Sequence, residues 1–83
     1  MELLYFAWVR EKMGRGGERV EPPADVETVA QLIAWLRARG PVEDAALADS
    51  TRLRAAVDQL FVGLDASIKG AREVALFPPV TGG

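Results

Sequence analysis

Residues 28–37 read TVAQLIAWLR, and their spacing decides the fold class. Thr28 precedes the periodic segment and Gln31 follows three residues later. This is the capping-box arrangement, in which each of the two residues takes up a backbone N–H at the start of a helix. Val29, Leu32, Ile33 and Leu36 fall at i, i+3, i+4 and i+7, one continuous apolar stripe. Gly40 is read as a left-handed C-cap and Pro41 as a block to continuation, so a helix is expected over residues 29–39. Trp35 lies beside the stripe, at the edge of the expected core. A helix with a single apolar stripe needs one sheet face to cover it.

The flanking sequence supplies candidate strands. Residues 3–9, LLYFAWV, form a short apolar run rich in β-formers and read as a buried strand. Gly14-Arg15-Gly16-Gly17 reads as a turn, and Glu18-Arg19-Val20-Glu21 as a polar return strand ending at Pro22-Pro23. Residues 42–51 fit either a helical turn or two or an irregular loop. Leu53, Ala55 and Val57 alternate with other residues, Asp58-Gln59 turns the chain and Leu60-Phe61-Val62 returns it, although propensity alone also allows a helix from Arg52 to Gln59. Val74 to Phe77 is the last strand. The expected architecture is an α+β roll: a mixed sheet, first and last strands adjacent and parallel, with the main helix across one face.

Composition narrows the chemistry. The 83 residues are enough for one small domain, 49% of them are apolar, and the net charge is -2. No apolar run approaches the roughly 20 residues needed to span a bilayer, and no signal-peptide pattern opens the chain, so a cytoplasmic protein is expected. Cys and His are both absent, which removes disulfides, a thiol nucleophile, an imidazole base and soft metal ligands. Interspersed charges build no basic field for nucleic acid. The segment from Gly14 resembles a dinucleotide-binding loop only superficially, because Arg19 stands where the third glycine belongs. Arg10, Arg15 and Arg19 read as a solvated hairpin. Glu43 and Asp44 read as neighbours in a polar loop with no reason for perturbed pKa values.

Side chains alternate across a strand. If Leu3, Tyr5, Leu60, Val62, Val74 and Leu76 meet the helix, then Phe6, Phe61 and Phe77, all the phenylalanines of the chain, fall on the uncovered face. An apolar patch of that kind marks an interaction surface. The chain then runs Glu73-Val74-Ala75-Leu76-Phe77-Pro78-Pro79-Val80-Thr81-Gly82-Gly83. Pro78-Pro79 cannot continue a ladder and favour extended polyproline, so six residues beyond Phe77 reach roughly 18 Å. Gly82-Gly83 let the tip enter a channel too narrow for a Cβ. The expected division is a domain over 1–77 and a tail over 78–83. The reactive group expected at the tip is the α-carboxylate of Gly83, which needs conversion to an acyl-phosphate anhydride before a sulfur or amine nucleophile can take its acyl carbon.

The stretches LLYFAWVRE, TVAQLIAWL, AAVDQLFV and EVALFPPVTGG together resemble the small subunits of molybdopterin synthase, over essentially the whole length. That family of sulfur carriers has a ubiquitin-like β-grasp fold. The resemblance implies that Gly83 is adenylated by a partner resembling ubiquitin-activating enzymes, with ATP bound by that partner and no cofactor held by this chain. A sulfur donor protein then yields a thiocarboxylate. It further implies that Pro78, Pro79, Val80, Thr81 and Gly82 insert into the large subunit, where sulfur passes to cyclic pyranopterin monophosphate to build the dithiolene. Catalytic side chains would belong to the large subunit, so this chain is not an enzyme on its own. The implied assembly is a heterotetramer, with Phe6, Phe61 and Phe77 at the partner contact. Gly70-Ala71-Arg72 and Asp58-Gln59 depart from the family's usual Asp-Gly-Asp and Asn-Gly. The alternatives are a carrier for thiamine or tRNA thiolation, a ubiquitin-like modifier joined through Gly83, and a binding module with an inert tail.

Overall fold

A computed structural model describes residues 1–79. Its five strands are β1 (Glu2–Tyr5), β2 (Gly17–Arg19), β3 (Arg54–Val57), β4 (Leu60–Val62) and β5 (Glu73–Phe77). They form one sheet in the order β2-β1-β5-β3-β4. β1 and β5 run parallel at its centre, Leu3 opposite Val74 and Tyr5 opposite Leu76, while every other pairing is antiparallel. The expected mixed sheet, with its first and last strands adjacent, is present.

The principal helix, α2, spans Val29–Arg37 with the full capping box: Thr28 Oγ1 accepts from Gln31 N, and Gln31 Oε1 accepts from Thr28 N. Its next N–H groups are also satisfied, Val29 by the carbonyl of Ala66 and Ala30 by that of Leu64. Val29, Leu32 and Leu36 are fully buried, packed with Leu3, Tyr5, Val74, Leu76, Leu47 and Leu53 in one core. The end of the helix differs from expectation. Ala38 closes it in right-handed geometry, and Gly40 has an extended φ of 169° and stands before a further helix, α3 (Pro41–Ala46). Pro41 opens α3 rather than merely stopping α2, because its missing N–H is one that a first helical turn leaves unpaired anyway. Ala46 and Leu47 deliver apolar contact to the core, which selects helix for a segment whose sequence left helix and loop open. A short 3-10 turn, Ser50–Arg52, capped by Asp49, leads into β3.

A larger correction concerns the N-terminus. The strand expected over 3–9 stops at Tyr5, and a helix, α1, spans Ala7–Met13. Ala7 makes the change of direction at a positive φ of 53°, where its Cβ crowds the following carbonyl, a strain that a β-branched side chain would increase. The apolar period then switches from two to four: Val9 and Met13 enter the core from α1, leaving Trp8 half-buried. Gly14 is no hairpin turn but the left-handed cap of α1 (φ 77°), its N–H bonded to the carbonyl of Arg10. Gly17 begins β2 where a Cβ would lie 2.7 Å from the Leu3 carbonyl oxygen, so the strand pairing requires glycine there. The pairing of β1 with β2 was legible, the helix inserted between them was not.

The second hairpin is as read. Asp58 and Gln59 both have positive φ, 48° and 71°, the left-handed pair that a two-residue turn demands. Asp58 Oδ1 also accepts from the backbone N of Arg72 and Glu73, which ties this turn to the start of β5.

Candidate protein-docking face

Helix α2 covers one side of the sheet, and the other side is open. Leu4, Ala56 and Ala75 line a groove of about 500 Å³ together with Phe6, Phe61 and Phe77, and Gln59 and Glu73 are its polar lining residues. All three phenylalanines therefore occupy the face that strand alternation assigned to them. Phe61 is 82% exposed and Phe6 48%, whereas Phe77 is half-buried. The Phe61 and Phe77 rings lie 5.7 Å apart at a tilt of 54°, a favourable aromatic pairing that also orients them. Phe6 is placed by the parallel ladder: its N–H donates to the carbonyl of Leu76, immediately before the chain turns into α1.

One face assignment fails. Leu60, expected to meet the helix, is 71% exposed, while its alternate Val62 packs against the core. β4 is an edge strand, and Leu60 lies beyond the reach of α2. The floor residues Leu4, Ala56 and Ala75 were not singled out from sequence. Their signal was small or apolar residues at the alternate positions of the two central strands and β3.

β5 ends at Phe77, and Pro78 and Pro79 follow, both half-buried. The tail residues Val80, Thr81, Gly82 and Gly83, expected to carry insertion and chemistry, lie outside the described residues.

A polar cluster braces the helical side. Glu18 accepts hydrogen bonds from Tyr5 Oη at 2.7 Å and from Arg15 Nε and a terminal nitrogen at 2.9 and 2.8 Å, and pairs with Arg39 at 3.1 Å. Arg15 also reaches Glu43 at 2.9 Å, joining β2 to α3. Burial pushes the Glu18 carboxyl upward, yet the bonds from Tyr5 and Arg15 outweigh it and hold the group below the usual carboxylate range. Burial, then the hydrogen bond to Glu18, raises the Tyr5 phenol. Glu43 is lowered by its backbone hydrogen bond and by Arg15. Arg15 and Glu43 are thus members of one network rather than a solvated hairpin and an isolated loop acid. Among the described residues no group of His, Cys, Asp and Glu is arranged to hold a metal ion, and no helix is long and apolar enough to cross a membrane.

A mixed five-stranded sheet with parallel central strands, and a principal helix laid across one face, defines the ubiquitin-like β-grasp class. The chain belongs to the ThiS family, which matches residues 3–83. It is 41% identical over 83 residues to the molybdopterin synthase sulfur carrier subunit of Escherichia coli K12, covering 100% of this chain and 99% of that protein. The sulfur carrier subunit of the same name from Haemophilus influenzae is 32% identical over the same span, with 99% of it covered. Among solved structures, SAMP1 from Haloferax volcanii superimposes with a TM-score of 0.72 at 25% identity, covering 100% of this chain and 98% of that one. A putative molybdopterin converting factor subunit 1 from Pyrococcus furiosus gives 0.74 at 26% identity, covering 95% of each chain.

Proposed function

We propose that this chain is the sulfur-carrier subunit of a molybdopterin synthase, and that the Gly83 carboxyl carbon is its working atom. The full-length identity of 41% to a relative of that name carries the reading. The geometry of the domain supports it, because the last strand ends at Phe77, on the rim of the apolar groove, and leads directly into Pro78-Pro79. A partner seated on the groove is therefore beside the root of the tail.

The proposed chemistry is what the likeness to sulfur carrier subunits implies, and the composition agrees with it. With no Cys or His, the chain offers neither a thiol nor an imidazole. The Gly83 carboxylate attacks the α-phosphate of ATP held by an activating adenylyltransferase, and pyrophosphate leaves. The acyl adenylate now has a good leaving group: the terminal sulfur of a donor-protein persulfide attacks the acyl carbon and AMP leaves. A thiol reductant then cleaves the S–S bond of the resulting acyl disulfide to release the thiocarboxylate. Pro78 to Gly82 then carry that group into the large synthase subunit, whose side chains catalyse transfer to cyclic pyranopterin monophosphate. This chain binds no cofactor in the scheme and is not an enzyme on its own. Residues 1–77 act as the docking body and 78–83 as the delivery arm.

Intact mass of the protein isolated from its native cells, followed by reconstitution with the large subunit and pyranopterin precursor, tests the reading. Exchange of one terminal oxygen for sulfur is expected, and deletion of Gly83 is expected to abolish sulfur donation with folding unchanged. Full activity of the truncated chain would overturn the assignment. A second reading, a modifier joined through Gly83 to lysine amines, draws on the likeness to SAMP1 and predicts higher-mass lysine adducts instead.

A further inference from the structure

Trp8 stands on α1 two residues beyond Phe6, and two cations lie over its ring. Lys12 Nζ is 5.3 Å from the ring centre and the Arg52 guanidinium carbon is 5.0 Å from it. Lys12 is one helical turn away and Arg52 ends the 3-10 turn before β3, so the indole gathers charges from two separate elements. Arg54 extends the group toward the tail: it pairs in register with Phe77, and with Phe61 and Phe77 it lines a second cavity of about 250 Å³. Its guanidinium donates to the carbonyls of Thr51 and Leu53.

Among the described residues Lys12, Arg52 and Arg54 make no ion pair, nor do Arg10 and Arg72 elsewhere, whereas Arg15, Arg19, Arg37, Arg39 and Lys69 all pair with carboxylates. Asp49, whose carboxyl Thr51 and more weakly Arg52 hold low, keeps its negative charge while it accepts from Thr51, so it offsets part of the Arg52 charge without pairing with it. An aromatic face holds a cation without neutralising it. The three exposed cations, with Asp49 offsetting one of them in part, leave net positive charge beside the exit of β5. A phosphate is a poor fit, because the nearby backbone donors are already used: Thr51 N on Asp49 Oδ1, Arg52 N on the Asp49 carbonyl and Leu53 N on the Ser50 carbonyl.

We infer that Lys12 and Arg52, held over Trp8, together with Arg54 beside Phe77 at the root of the tail, form an electrostatic docking collar for carboxylates on the large synthase subunit. The collar adjoins the phenylalanine groove through Phe77, so one partner surface engages both. This rests on the sulfur-carrier reading, since the partner is the subunit that receives the tail.

Association of the full chain with its large subunit, followed by surface plasmon resonance across ionic strength, tests the inference. Lys12→Glu/Arg52→Glu is expected to slow association about tenfold at low salt and to flatten its salt dependence, with dissociation changing far less. The milder Lys12→Gln/Arg52→Gln pair should move the rate in the same direction. Arg19→Glu/Lys69→Glu, which changes net charge equally elsewhere, should leave the salt slope near that of the wild type. Equal effects from the two reversals, or no effect from the collar reversal, would overturn the collar while leaving the carrier reading intact. Quenching of tryptophan emission by ATP alone, lost in Arg52→Glu, would replace it with a nucleotide site. A wild-type chain that does not bind the large subunit would remove the carrier reading and the collar together.

Discussion

Glu18 gathers Tyr5, Arg15 and Arg39 on one carboxylate whose side chain is 16% exposed. Its pKa in the folded protein is lowered from about 4.5. The stabilisation is therefore fully present above that value and is lost as pH falls through the lower folded one. Glu18→Gln should cost about 1–3 kcal/mol near neutrality, because it leaves charged donors without their acceptor. The difference from wild type should shrink as pH drops below about 4.5, which urea midpoints at pH 7 and pH 3 would reveal. A gap of constant size would mean that the effect is packing rather than charge. None of this network was legible in the sequence. Arg15 and Glu43 are 28 residues apart, and no local spacing rule links them.

At the scale of elements, α2 was readable because its signals are local. Stripe, cap and capping partner fall within nine residues, Thr28 to Leu36, and each depends only on neighbours along the chain. Thr28→Ala should cost about 1 kcal/mol. For a domain of this size that corresponds to a fall of about 4–8 °C in Tm, checked by thermal unfolding. The N-terminal run was misread for a related reason. Apolar residues fill positions 3–9 without a gap, so period two and period four are both satisfied until Met13 and the Gly14 cap are counted. Those later residues could have revealed α1. Gly40 illustrates the converse: a glycine followed by proline ends one helix and starts another equally well, and packing of Ala46 and Leu47 settled the choice.

For the whole molecule, the decisive feature is a sheet clothed on one side only. In a chain of 83 residues, α1, α2 and α3 supply apolar residues to one shared core, and Phe6, Phe61 and Phe77 remain on the bare face. Under the carrier reading, Phe77→Glu should weaken binding of the large subunit by about 2 kcal/mol or more, because it sets a charge in a desolvated aromatic contact. Titration calorimetry would check it, and unchanged affinity would mean that the partner sits elsewhere. By itself, the sequence determined the main helix, the second hairpin, the last strand and the face on which the phenylalanines lie, since periodicity and alternation are properties of adjacent residues. Only tertiary structure decided that the chain after Tyr5 turns into a helix, that Leu60 escapes cover at an edge, and that Glu18 and Trp8 each gather cations from distant segments. Those outcomes depend on which elements meet in space, and parallel pairing of β1 with β5, more than sixty residues apart, sets that meeting.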